Sequence, residues 1–80
     1  MKTFTKTKLI PETEEDVLSL RAGDVVHFYT PKADRLKMKL NDNPKINEIT
    51  PQRYTAWFEF NGDIEFDLSD IEKVIRWEER

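Results

Sequence analysis

Few residues in this chain could do chemistry, and their spacing points toward binding and away from catalysis. The sequence holds one histidine, His27, and no cysteine. A general base or a metal ligand needs a second polar partner fixed beside it, and no second histidine or triad companion is present to serve His27. Within the run DVVHFYT a histidine with an inward or edge position and a structural hydrogen bond is the expected arrangement. The absence of cysteine excludes disulfides, thiolate nucleophiles and cysteine-ligated zinc. Asp63, Glu65 and Asp67 alternate along one segment and could offer oxygens to a divalent cation. Their spacing is not that of a calcium loop, and alternating acids are also how a strand meets water. The expectation is a chain with no metal and no cofactor, and not an enzyme.

Two groups of side chains suit binding instead. Trp57, with Glu59, Asp63, Glu65 and Asp67 around it, pairs an aromatic anchor with an acidic rim, the combination found at interface hot spots. A partner for that surface carries basic residues. The alternative is nucleic acid on the face made by Lys32, Arg35, Lys37, Lys39 and Lys45, with Tyr29 near one end. Asp34 and Asp42 interrupt that run, no aromatic interleaves its lysines, and the sequence pI is about 5.1. A solubilising face is the reading preferred for it, and tight nucleic-acid binding is not expected.

The elements that must carry these groups fit a single domain over residues 1–80. That length is near the lower limit at which a chain builds its own core without disulfides. Hydrophobic residues make up 38%, with five Phe, two Tyr and two Trp, so a core is feasible. Charged residues make up 36% and are mixed in sign, which argues against disorder. Residues 1–53 carry ten Lys/Arg against eight Asp/Glu, and residues 54–80 three against eight. The second half is therefore the more attractive to a basic partner. No apolar stretch has the length of a membrane span, and the opening MKTFTKTKLIPE lacks the apolar core of a signal peptide, so a cytoplasmic location is expected.

Thr3–Leu9 reads as an edge strand ended by Pro11. Thr13 and Asp16 stand at capping-box spacing, opening a short helix with Gly23 as its stop. Asp24–Thr30 is a strand stopped by Pro31. Arg35–Leu40 alternates strictly, with Leu36, Met38 and Leu40 on one face and cations on the other. Lys45–Gln52, with only Ile46 and Ile49 as apolar anchors, reads as an ordered loop or short turn. The last segment is open to two readings. One is a helix, from the capping-box spacing of Ser69 and Glu72 with Ile71, Val74, Ile75 and Glu78 at helical intervals. The other is one helical turn at Ser69–Glu72 leading into a closing strand at Lys73–Trp77, which the β-branched and aromatic KVIRW favours.

The hairpin of Tyr54–Leu68 poses a question of register. A two-residue Asn61-Gly62 loop would place Trp57 on the core face and turn Phe58 and Phe60 outward. An odd-length loop pairs Phe60 with Ile64 and Phe58 with Phe66 and sends Trp57 outward; a one-residue slip exchanges every face. Burying a Phe side chain is worth about 1.5–3 kcal/mol, more than the ~1 kcal/mol that separates turn types, so the odd-length loop is expected. On it Phe58, Phe60, Ile64, Phe66 and Leu68 are all buried.

Taken together, LRAGDVVHFY and the stretch from Tyr54 through Phe58, Phe60, Asn61 and Gly62 to Leu68-Ser69-Asp70-Ile71 resemble the small SH3-like barrels, with a Tudor-type look. The resemblance covers residues 20–77 and implies a mainly β fold, a small barrel of about five antiparallel strands with one or two short helical turns. Tudor-type domains bind methylated lysine or arginine in an aromatic cage, which here would draw on Tyr29, Tyr54, Trp57 or Trp77. These positions do not match the family pattern residue by residue, so no ligand is carried over. The resulting expectation is a small protein-interaction module, of the size and composition of phage or mobile-element proteins that bind and modulate a host protein.

Overall fold

The computed structural model describes residues 3–29 and 37–79. Among these, seven strands form two antiparallel sheets: β1 (Phe4–Leu9), β2 (Val25–Phe28), β3 (Lys37–Lys39), β4 (Lys45–Ile46), β5 (Tyr54–Phe58), β6 (Gly62–Phe66) and β7 (Ile71–Glu79). The first sheet has the order β1-β7-β2-β3 and the second β4-β5-β6. The fold is mainly β, as expected, but it is not a closed barrel. The sheets are linked on one side by a bridge between Leu40 and Phe58, and the far edges, β1 and β6, do not pair with each other.

Each sheet turns an apolar face inward. Val26, Phe28, Ile71 and Val74 come from the first, and Tyr54, Ala56, Phe58 and Phe66 from the second. Phe28 meets Phe58 and Phe66 edge-on at ring distances of 5.8 and 5.6 Å, the T-shaped geometry that aromatic quadrupoles favour. Val17 and Leu20 fill one end, Val17 lying in the one-turn helix α1 (Glu14–Leu18). That helix has the expected capping box. Thr13 Oγ1 accepts from the Asp16 N–H, and Asp16 Oδ2 accepts from the N–H groups of Thr13 and Glu12. These bonds, Glu12 foremost, hold the Asp16 carboxyl below its usual range. The helix ends at Leu18 rather than running to Gly23; Gly23 instead sits at φ +96° in the turn that opens β2.

Among the described residues one charged side chain is fully buried. Asp24 is 2% exposed and receives both arms of Arg76, Nε at 2.9 Å and an Nη at 2.7 Å, together with the Arg21 N–H at 3.1 Å. The bidentate bond to Asp24 raises the affinity of the Arg76 guanidinium for its proton. Lys45–Gln52 is not a loop throughout. Lys45 and Ile46 pair with Thr55 and Tyr54, after which the Asn47 carboxamide organises a turn by accepting from Ile49 and Thr50. At the C-terminal end a 3-10 turn at Leu68–Asp70, with Asp70 Oδ2 accepting from the Asp67 N–H, precedes β7. The turn starts one residue earlier than expected, and the strand is longer.

The hairpin keeps the odd-loop parity: Trp57 opposes Asp63 on the outer face while Phe58 and Phe66 point inward. The register itself differs. Phe58 pairs with Gly62 and Tyr54 with Phe66, so the loop is Glu59-Phe60-Asn61 and Phe60 sits at its tip, 95% exposed. The burial expected for Phe60 is therefore wrong; Ile64 and Leu68 are only partly buried against the core. Local turn chemistry outweighs the lost burial. Asn61 N–H donates to Phe58 C=O, Asn61 Nδ2 to Glu59 C=O, and Gly62 takes φ +76°. Phe60 is left at φ +67°, a left-handed conformation costly to a bulky side chain. Phe60→Gly is accordingly expected to raise stability by about 1 kcal/mol. A thermal melt checks this, and a lower midpoint for the glycine variant would show that Phe60 makes a stabilising contact.

Candidate functional site

The alternation of β5 and β6 positions most of the proposed protein-docking residues. Trp57 lies on the central strand of the second sheet and is 49% exposed. Asp63 stands opposite it on β6, and Thr55 opposes Glu65 one row along. Beside Trp57 is a shallow depression of about 360 Å³ lined by Asn41, Asp42, Lys45, Thr55 and Asp63 among others. The acidic rim is less acidic than its sequence implies. Arg53 Nε lies 3.0 Å from Asp67 and 3.7 Å from Glu65, and Lys39 Nζ lies 3.7 Å from Glu59. Asp67 itself follows β6 and precedes the 3-10 turn, outside the row that faces the depression.

The lysine run does not form the single face that its sequence suggests. Lys32 and Arg35 lie outside the described residues. Lys37 and Lys39 are exposed on β3 in the first sheet. Lys45 belongs to β4, pairs with Thr55, and borders the Trp57 depression. The rim beside Trp57 is thus of mixed charge, with Asp63 on one side and Lys45 and Asp42 on the other.

A second outward face was not foreseen, because strand order creates it. On the first sheet Lys6 opposes Trp77, and Lys8, Ile75, Val25 and Lys39 form one cross-strand row. Lys73, His27 and Lys37 form the next. His27 therefore lies on the outer face of an inner strand, opposite in parity to the buried Val26 and Phe28, and neither inward nor at an edge, the two positions its sequence context suggested. Partial burial pushes its pKa down first, and the positive charges of Lys73 and then Lys37 push it further; Glu72 pulls it up, and Lys6 adds the smallest downward push. Trp77 is 55% exposed, with Lys6 Nζ 5.8 Å from its ring centre. The alternation of β1 and β7 is visible in the sequence; their adjacency is not.

Among the described residues no three His, Asp or Glu side chains converge as a metal site; Glu65 and Asp67 pair with Arg53, and Asp63 lines the depression. No described helix is long and apolar enough to cross a membrane. Compared with protein-family models, with curated proteins and with solved structures, the chain matches none of them.

Proposed function

We propose that this protein is a non-catalytic protein-interaction module that docks its partner on the Trp57 face of the second sheet. The observation that carries the reading is the placement of Trp57. It is a large aromatic on the central strand of a sheet, half exposed, beside an open depression whose charged lining is Asp63 on one side and Lys45 with Asp42 on the other. Aromatic anchors of this kind supply most of the affinity of an interface, while surrounding charges set orientation and association rate. The partner this face suits offers a pocket for the indole and a cation for Asp63 and Glu65. An SH3-like ancestry for the fold belongs to the same proposal. It is supported by the Gly23-Asp24 opening of β2, the β5–β6 hairpin and the Leu68–Ile71 turn before the last strand.

The test compares wild type with Trp57→Ala for a nuclease-resistant protein captured from cells that make this chain. The variant is expected to weaken binding by about 1–3 kcal/mol while melting within a few degrees of wild type, because half the indole is already in water. Asp63→Lys should mainly slow association and change its salt dependence. A Trp57→Ala protein that melts far below wild type makes Trp57 a core residue, and the reading is then abandoned.

A further inference from the structure

The geometry points to a second binding site, independent of the Trp57 reading: the outer face of the first sheet is a groove for single-stranded nucleic acid. Its floor is Trp77, Ile75, Val25 and His27, contributed by the two inner strands β7 and β2. One wall is Lys6 and Lys8 on the β1 edge, the other Lys37 and Lys39 on the β3 edge, and Lys73 closes the row beside His27. The open volume is about 450 Å³. Four strands at about 4.8 Å spacing set the walls roughly 14 Å apart, room for one extended strand but not for a duplex. Phe4, next in the same face of β1 and 60% exposed, prolongs the aromatic end.

Charge complementarity selects the occupant. Among the described residues five lysines stand on this face of a chain whose formal net charge is −3, with Glu72, Glu79 and the Lys39-bound Glu59 as nearby acids. The ligand is therefore a polyanion. The floor narrows the choice further, since an acidic peptide has little use for flat rings between two cationic walls. A single strand places its phosphates at the walls and stacks its bases on Trp77 and His27, the mode by which sequence-tolerant single-strand binders work. The lysines here come from β1, β3 and β7, so the groove differs from the contiguous Lys32–Lys45 run and leaves Lys45 outside it. His27 reports occupancy. Its pKa is depressed partly by Lys73, Lys37 and Lys6, so a bound polyanion raises that pKa, protons are taken up on binding, and affinity rises as pH falls below the usual histidine range.

The test is fluorescence anisotropy with a labelled fifteen-residue oligothymidylate at low salt, run on the whole protein. Wild type is expected to bind with a logarithmic salt slope of up to about −3.5, the value for five neutralised phosphates on a single strand. Lys37→Glu with Lys73→Glu should weaken binding by at least about tenfold. Trp77→Ala should weaken it by about 5- to 150-fold, the range for loss of one stacked base. Lys45→Glu, which changes net charge equally per residue but lies on the other sheet, should stay within about twofold of wild type. An NMR titration should show the His27 imidazole pKa rising when the oligonucleotide is added. The proposal is overturned if the oligonucleotide does not bind, or if Lys45→Glu costs as much per charge as the groove lysines. It is equally overturned if poly-glutamate competes as well as the oligonucleotide, which would make an acidic protein segment the occupant.

Discussion

Asp24→Ala is expected to remove about 3–5 kcal/mol of folding stability, the cost of leaving one member of a buried ion pair alone. For a domain of this size that is a large share of the total, since small proteins hold only about 0.05–0.15 kcal/mol per residue. Three features set the size of the effect. Asp24 is almost wholly buried and accepts three hydrogen bonds, two from Arg76 and one from the Arg21 backbone. Arg76 has only 17% of its side chain exposed, so water cannot readily replace the lost carboxylate. The pair also fixes the entry of β2 against β7. In urea denaturation the midpoint should fall with little change in slope. Replacing both partners, as in Asp24→Leu with Arg76→Met, should cost less than Asp24→Ala alone, because no unpaired buried charge remains. If Asp24→Ala is as stable as wild type, the pair is solvated in solution and does not belong to the core.

Phe58→Ala ranks second, at an expected loss of about 3–5 kcal/mol. Phe58 is fully buried, packs edge-on against Phe28 and Phe66, and occupies the position where the two sheets bridge through Leu40. Its removal leaves a cavity beside the bridge that ties the two sheets. Phe60 has the same side chain two residues on and is almost fully in water, so Phe60→Ala should change stability by no more than about 0.5 kcal/mol. The two variants measured side by side are a test of the hairpin register. Comparable losses at both positions would mean that Phe60 is buried after all.

Alternation was readable wherever one face meets the core. Trp57 against Phe58 on β5, Met38 between Lys37 and Lys39, and the Thr13–Asp16 cap all follow from period and local bonding. The burial expected of Phe60 rests on a transfer energy set against turn preference in general, a comparison that leaves out the local bonding. The particular bonds of Asn61, and a strand end fixed by the Leu40–Phe58 bridge, decided the matter. β4 was missed because Lys45-Ile46 carries no strand pattern of its own; its partner Tyr54-Thr55 makes it a strand. The Asp24–Arg76 pair and the lysine groove were not readable in any local sense. Their members lie far apart along the chain and meet only because β7 lies between β1 and β2. The protein-docking acids fared in the same way, since Arg53 neutralises part of the rim from a loop that precedes the hairpin.

The position of β7 also bears on how the molecule reaches its native state. Its register joins Phe4 to Glu79 on one side and Val25 to Ile75 on the other, so every pairing that β7 makes in the larger sheet closes a long loop, and only the β2–β3 pairing there is more local. Such pairings lose chain entropy before they gain contacts, and domains rich in them fold in milliseconds to seconds rather than microseconds. The β5–β6 hairpin closes over three residues and suffers no such delay. An early hairpin, completed late by a strand that inserts between two others, makes the rate of folding sensitive to substitutions around Phe58 and the rate of unfolding sensitive to those along β1 and β7.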